Sequence, residues 1–156
     1  SRTSVNMLPE TVARLSKIEN IVGIKEASGN LVQVSEIIQL CGPDFEVISG
    51  EDALTWPILA LGGKGVISVT ANIVPKKLSK LCKAALKGDM ATAGSLHYEL
   101  LKLNDVMFME TNPIPVKAAL AMMGRIDNEF RAPLCPPSEG NLATLKSVLQ
   151  EYSLVH

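Results

Sequence analysis

Short apolar runs alternate with longer stretches of helical periodicity along the first 88 residues of the chain. The runs are rich in β-branched residues and glycine, as is typical of the inner strands of a parallel sheet, and they are Ile21–Ala27, Phe45–Gly50 and Gly65–Val69. Apolar residues at helical spacing predict helices that begin at Pro9, at Leu31, at Glu51 and at Lys76. Strands that alternate with helices in this way pair in parallel and are covered by the helices.

From residue 89 onward the pattern contains no strand-like run. It predicts helices over Met90–Met109, after Pro113 and Pro115, and from the N-cap residue Ser138 to Tyr152. The sequence therefore predicts two domains, an α/β part over residues 1–88 and an all-helical part over residues 89–156.

Length limits the architecture of the α/β part. Three parallel strands leave two open sheet edges, whereas an eight-stranded barrel needs about 250 residues. The chain has 156 residues, and no strand-like run precedes its first predicted helix. Periodicity alone leaves two interpretations, a small open α/β domain and the C-terminal part of a larger barrel.

Composition narrows the class of protein. Apolar residues make up 47% of the chain and the net charge is −1, so there is no basic field for nucleic acid or an anionic membrane surface. No apolar run approaches the ~20 residues of a membrane span. Three widely spaced cysteines without a CxxC pair, and only two histidines, favour reduced thiols and a metal-free site. These features predict a cytoplasmic protein that binds neither nucleic acid nor membrane.

One lysine lies in a run that is otherwise suited to a buried strand. Side chains alternate between two faces along Ile21–Ala27, so Lys25 and Gly23 point to the face opposite Ile24. In a parallel barrel that face is the interior, and a residue near the C-terminal end of its strand lies at the active mouth. Partial desolvation there would favour the neutral amine, which can attack a ketone and form a Schiff base. An ion pair with a carboxylate such as Glu26, or exposure at a strand end, is the alternative.

Other polar positions have two interpretations each. Gly50, Glu51 and Asp52 could line a ligand pocket after the second strand or cap the following helix. Arg2 could bind a carboxylate or be a solvated residue. His97 lies in an amphipathic helix and is predicted as a surface or interface residue rather than a base.

Four segments of the chain carry a recognisable sequence. They are Ile21–Asn30 (IVGIKEASGN), Ile48–Leu54 (ISGEDAL), Gly62–Asn72 (GGKGVISVTAN) and Asn112–Leu120 (NPIPVKAAL). Together they resemble the dihydrodipicolinate synthase family, the pyruvate-dependent class I aldolases of lysine and diaminopimelate biosynthesis. Ser1–Thr3 and Leu8–Thr11 favour these synthases over the N-acetylneuraminate and 2-keto-3-deoxy sugar acid lyases, which are the alternative members of the superfamily.

The resemblance implies roles for two charged residues. Lys25 matches the lysine that forms an imine with pyruvate, so the chemistry is expected to need no cofactor. Arg2 matches the arginine that binds the carboxylate of the second substrate, aspartate semialdehyde.

It also implies a binding pocket around the lysine. Gly50 and Ile67 match positions that line the pyruvate pocket, one through its backbone and one through its side chain. Glu51 and Asp52 match an acidic pair near the path of the second substrate. No metal ligand is expected among these residues.

The resemblance covers the second half of the family's sequence. The expected fold is therefore the last three strands of a (β/α)8 TIM barrel with their covering helices, followed by a helical domain. The family's first half carries the threonine and two tyrosines that transfer protons, so this segment alone is expected to be inactive or nearly so. Its expected partners are that half or other copies of the chain, and the resemblance suggests a homotetramer built from dimers. A non-catalytic assembly segment is the alternative from a different class of protein.

Overall fold

The computed structural model describes residues 3–156, and three parallel strands form its sheet. They lie side by side in chain order: β1 (Gly23–Glu26), β2 (Glu46–Ser49) and β3 (Gly65–Val66). Lys25 of β1 is opposite Ile48 of β2, and Ile48 is opposite Gly65 of β3. The arrangement confirms the predicted α/β class with a parallel sheet.

Seven helices accompany the strands in the described residues. Their bounds are α1 (Pro9–Leu15), α2 (Leu31–Cys41), α3 (Thr55–Ala60), α4 (Pro75–Leu86), α5 (Met90–Val106), α6 (Ile114–Met122) and α7 (Glu139–Glu151). Short 3-10 turns at Asp52–Leu54 and Thr70–Asn72 precede α3 and α4. Strands and helices alternate up to α4, and only helices follow, as the hydrophobic pattern predicts.

One face of the sheet is covered by an apolar core. Its buried side chains come from α1, α2, β2, α3 and the residue before β2: Val12, Val34, Ile37, Phe45, Val47 and Ile58. Ile24 of β1 packs against this core. Burial of a side chain of this size stabilises the fold by about 1.5–3 kcal/mol. Because side chains alternate along a strand, Lys25 lies on the face away from the core.

Local sequence signals determine both ends of α2. The Asn30 side chain accepts hydrogen bonds from the N–H groups of Val32 and Gln33, at 3.0 and 3.3 Å. Asparagine is among the preferred N-cap residues because it satisfies donors that have no partner within the helix. The helix ends at Gly42, whose φ of 81° is a backbone conformation that favours glycine. The cap at Asn30 fixes where the helix starts relative to the end of β1.

The helical part of the chain has buried faces of its own. Along α5 the buried apolar side chains Leu96, Leu100 and Leu103 follow helical spacing, and Met107 is buried directly after the helix. Helix α6 packs on α7. The predicted N-cap of α7 is confirmed, because the Ser138 hydroxyl accepts a hydrogen bond from Asn141 N–H at 3.4 Å.

Two predicted elements around the second and third strands differ from the structure. Of the predicted strand Gly65–Val69 only Gly65–Val66 is sheet, because the chain bends after Ile67 into the turn at Thr70–Asn72. The helix predicted from Glu51 begins as a 3-10 turn. There the Ser49 hydroxyl accepts from Glu51 N–H (3.2 Å) and donates to Glu51 C=O (2.8 Å), so local bonds shape the backbone before α3 begins.

His97 is buried in the structure, so its predicted surface position is wrong. Residue 97 lies on the same helical stripe of α5 as the buried residues Ala93, Leu100 and Asn104. Burial lowers the pKa of the His97 imidazole below its ordinary value of 6.5. Its ring meets the Tyr98 ring edge to face, with centroids 5.0 Å apart.

The described chain packs as two compact units. One contains the residues up to Ser68 together with Lys80–Gly94, and the other contains Val69–Ser79 together with Ser95–His156. These units differ from the predicted domains of residues 1–88 and 89–156, because Val69–Ser79 belongs to the unit that contains the helical tail and residues 89–94 belong to the unit that contains the sheet. Within residues 3–156, every helix falls short of the length or the apolar character that a membrane crossing requires.

Candidate active site

The carboxyl ends of the three strands meet at one edge of the sheet. Gly50 N–H donates to Glu26 C=O at 2.7 Å, and Ile67 N–H donates to Ser49 C=O at 2.8 Å. These bonds continue the sheet register by one residue past β2 and β3. They place Lys25, Gly50 and Ile67 on three neighbouring chain segments, with Gly50 in the middle.

Lys25 lies on the face of the sheet opposite the apolar core. Its neighbours in β1, Ile24 and Glu26, point to the helix-covered side, where Ile24 packs on the core and Glu26 is buried. Lys25 itself is exposed. The described residues therefore do not supply the desolvation expected around its amine, because a sheet of three strands leaves this face open.

The alternative ion pair between Lys25 and Glu26 is not formed. The Glu26 carboxylate accepts instead from Ser28 N–H at 3.0 Å and from the Gln33 side-chain amide at 3.1 Å. Among residues 3–156, no hydrogen bond or ion pair involves the Lys25 amine. A ligand can therefore reach this amine without displacing a described partner.

Gly50 makes room for the stem of Lys25. A Cβ atom at position 50 would lie 2.8 Å from Lys25 Cε and 2.7 Å from Ala27 Cβ, closer than such atoms approach one another. Any side chain there would force the Lys25 stem or Ala27 to shift. Ile67, on the far side of Gly50, is 55% exposed and offers an apolar surface on the same sheet edge.

The acidic pair after β2 is only partly accessible. Asp52 is 2% exposed, and its carboxylate accepts a hydrogen bond from the Ser68 hydroxyl. This bond connects the segment after β2 to the residue that follows Ile67, so Asp52 shapes the edge. Glu51 is half-buried. The role of Glu51 and Asp52 on a substrate path stays a prediction.

The remaining predicted site residue is Arg2, which lies outside the described residues. Its role as a carboxylate ligand therefore stays a prediction. Among residues 3–156, no group of three or more His, Cys, Asp or Glu side chains is arranged to hold a metal ion.

An open cleft of about 690 Å³ runs beside the end of β1. Lys25, Ala27 and Ser28 line one side, and residues 4–7 line the other. Gln33 of α2 also lines it and is buried, and it is not among the predicted site residues. The sequence contains one signal that could have indicated burial of Gln33. This polar residue lies next to Val34 and one helical turn before Ile37, among the apolar positions of α2.

Comparison with known proteins identifies the family of the chain. The sequence model of the Dihydrodipicolinate synthetase family matches residues 1–152. The chain belongs to this family. The 4-hydroxy-tetrahydrodipicolinate synthase of Nitratidesulfovibrio vulgaris (strain DP4) is 57% identical to it over 150 residues, which are 96% of this chain and 51% of that protein. The chain thus spans about half the length of the curated relatives it matches.

Solved structures of the family have the same fold over this length. Dihydrodipicolinate synthase from Aquifex aeolicus matches with a TM-score of 0.95 and 46% identity, over 97% of this chain and 52% of that one. The chloride-inhibited enzyme from Acinetobacter baumannii, complexed with pyruvate, matches with a TM-score of 0.94 and 39% identity, over 97% and 52%. These matches confirm the family resemblance, and three strands with a helical tail are consistent with the C-terminal part of a TIM barrel.

Proposed function

We propose that this chain forms the imine-bearing part of a 4-hydroxy-tetrahydrodipicolinate synthase, a lyase of lysine and diaminopimelate biosynthesis. Its substrates are pyruvate and aspartate semialdehyde, and its nucleophile is Lys25. The observation that carries the proposal is the position of Lys25 at the carboxyl end of β1, on the face away from the core, with its stem against Gly50. The names of the curated relatives support the synthase over the sister lyases.

The proposed reaction begins with the neutral Lys25 amine. Its nitrogen attacks the keto carbon of pyruvate, and the carbinolamine loses water to form an imine. The imine loses a methyl proton to a base and becomes an enamine, whose carbon attacks the aldehyde carbon of aspartate semialdehyde. The new alkoxide takes up a proton, and the amino group of the second substrate then replaces Lys25 on the imine carbon. This transimination closes the ring and regenerates the lysine without oxidation or reduction.

Neighbouring residues support the first of these steps. Gly50 leaves space for the lysine stem, and Ile67 offers an apolar wall to the methyl group of pyruvate. Arg2 is proposed to bind the carboxylate of aspartate semialdehyde, with Glu51 and Asp52 near its path. The proton transfers need an acid and a base, which the family resemblance assigns to its other half. No cofactor is proposed, because the covalent imine supplies the electron sink.

Borohydride reduction in the presence of pyruvate tests the proposal directly. Borohydride reduces an imine to a stable secondary amine, so we expect the chain to gain the mass of one reduced pyruvate. Peptide mapping should place the added mass on Lys25. The protein is used as purified, with any polypeptide that accompanies it.

Two lysine variants make the test specific. Lys25→Arg keeps the charge but should form no adduct, whereas Lys64→Arg, at an exposed position just before β3, should form it at the wild-type level. An adduct that persists in Lys25→Arg, or a folded wild-type protein that forms none, would overturn the proposal.

The remaining expectations concern assembly and location. We propose that the chain acts with a polypeptide that supplies the other half of the barrel, or with other copies of itself in a homotetramer. The matched relatives support the first partner, because they are about twice as long as the chain. The three cysteines are free, which supports the expected cytoplasmic location.

A further inference from the structure

A polar cluster lies on the helix-covered side of β1, directly behind Lys25. Glu26 is 4% exposed and Gln33 is 6% exposed, although both side chains carry strongly polar groups. Burial of a polar group is costly unless hydrogen bonds replace its contacts with water. Their bonds therefore show what the cluster stabilises.

Glu26 joins the end of β1 to the start of α2. One oxygen of its carboxylate, Oε1, accepts from Ser28 N–H at 3.0 Å and from Gln33 Nε2 at 3.1 Å. The backbone carbonyl of Glu26 accepts from Gly50 N–H at 2.7 Å. Glu26, the residue after Lys25, is therefore hydrogen-bonded to α2 through its side chain and to the segment after β2 through its backbone.

Gln33 extends the same cluster to the opposite wall of the cleft. Its amide forms a reciprocal pair with the Asn6 amide, since Asn6 Nδ2 donates to Gln33 Oε1 at 2.7 Å and Gln33 Nε2 donates to Asn6 Oδ1 at 3.2 Å. Gln33 Nε2 also lies 3.4 Å from the carbonyl oxygen of Met7, which accepts from it. One buried amide therefore connects the strand of Lys25 to residues 6 and 7.

We infer that Glu26 and Gln33 are positioning residues for the imine-forming lysine, an inference that rests on the function proposed for Lys25. Both side chains are buried and bonded to groups on the helix side of β1, so they act on the backbone beside Lys25 and not on the reacting atoms. Together they fix the direction of the β1 end and its distance from the wall formed by residues 4–7. Loss of these bonds frees the backbone on either side of Lys25 and lets the amine leave its attacking position.

The first test removes the amide at position 33. Gln33→Leu keeps the side-chain size but leaves Glu26 and Asn6 without their partner. We expect the maximum rate of imine formation at saturating pyruvate, measured by rapid quenching into borohydride, to fall about tenfold, because small misplacements of a reacting group reduce rates by up to about a hundredfold. The half-saturating pyruvate concentration should change less than the rate. Gln39→Leu, the same substitution at an exposed position of α2, is the matched control.

The second test separates the reach of the Glu26 side chain from its charge. Glu26→Gln keeps an oxygen at the position that accepts both bonds, whereas Glu26→Asp keeps the charge but is one methylene too short. Positioning predicts that the Gln variant retains more of the maximum rate than the Asp variant, with all rates expressed per folded molecule from circular dichroism.

The outcomes distinguish this inference from the function on which it rests. Wild-type rates in Gln33→Leu, or a faster Glu26→Asp than Glu26→Gln, would overturn the positioning role while the wild-type adduct on Lys25 keeps the proposed function. Absence of an adduct on folded wild-type protein would overturn both. If Gln33→Leu does not fold, the two Glu26 variants decide.

Discussion

At the scale of single residues, the proposed site depends on the glycine at position 50 as well as on the amine of Lys25. The lysine stem crosses the end of β2 at a point where only a hydrogen atom fits, because a Cβ there would lie 2.8 Å from Lys25 Cε. The glycine is needed for space and not for an unusual backbone angle. The family resemblance implies that Gly50 lines the pyruvate pocket, and the contact with the Lys25 stem is a steric reason for a glycine at this position.

A methyl group at position 50 is therefore expected to act on Lys25. Gly50→Ala should lower the maximum rate of imine formation tenfold or more, since about 1 Å of displacement can cost a hundredfold in rate. The measurement is the same borohydride quench at saturating pyruvate. Gly140→Ala is the control, because a Cβ at position 140 meets no atom within 4 Å. Equal rates in the two variants would show that the lysine stem is not confined there.

At the scale of elements, the start of α7 combines a local signal with a distant one. Ser138 caps the helix through Asn141, as its sequence position predicts. The Glu110 carboxylate accepts from Ser138 N–H at 3.0 Å and from Asn141 Nδ2 at 2.7 Å. These bonds lower the pKa of Glu110 below its ordinary value, with the Asn141 bond as the largest cause. No sequence pattern predicts this contact, because 28 residues separate Glu110 from Ser138.

Loss of the cap should destabilise the protein by a measurable amount. Ser138→Ala removes the hydroxyl that satisfies Asn141 N–H, and N-cap substitutions of this kind cost about 1 kcal/mol. Urea unfolding followed by circular dichroism measures the free energy of unfolding. Ser79→Ala, at an exposed position inside α4, should leave it nearly unchanged. A Ser138→Ala variant as stable as Ser79→Ala would mean that Glu110 alone holds the helix start.

The contrast between local signals and contacts between distant residues explains how much of the fold could be predicted from the sequence. Hydrophobic patterns and N-cap residues predict α2, α7 and the three strands, because these elements depend on residues that are close in the sequence. The early end of β3 and the turn after Ser49 depend on hydrogen bonds that a hydrophobic pattern does not contain. Strand alternation predicts that Lys25 faces away from the core, and its role as the nucleophile stays a prediction. No comparable pattern marks Gln33, because its partners Asn6 and Glu26 are near it only in the folded chain.

At the scale of the whole molecule, the sheet formed by residues 3–156 has no partner strand beyond β1 or beyond β3. β1 and β3 are its two edges within the described residues, and each presents backbone groups available for pairing. Apolar side chains at Val5, Val22 and Ile67 are exposed in the same unit. Unpaired edges with exposed apolar residues favour association. The proposed assembly would also change the surroundings of the exposed Lys25, because the interior face of a closed barrel is packed with side chains.

This openness predicts that catalysis depends on a second polypeptide. We expect the 156-residue chain alone to turn over pyruvate and aspartate semialdehyde about 10²–10⁴-fold more slowly than an assembly that contains the acid–base residues. Native mass spectrometry of the purified protein should show either a second polypeptide or several copies of the chain. Adding a polypeptide that corresponds to the first half of a matched relative should raise turnover with wild-type chain and not with Lys25→Arg. Fast turnover by a folded monomer with no second polypeptide would contradict the prediction, since Lys25 would then need no further strands around it.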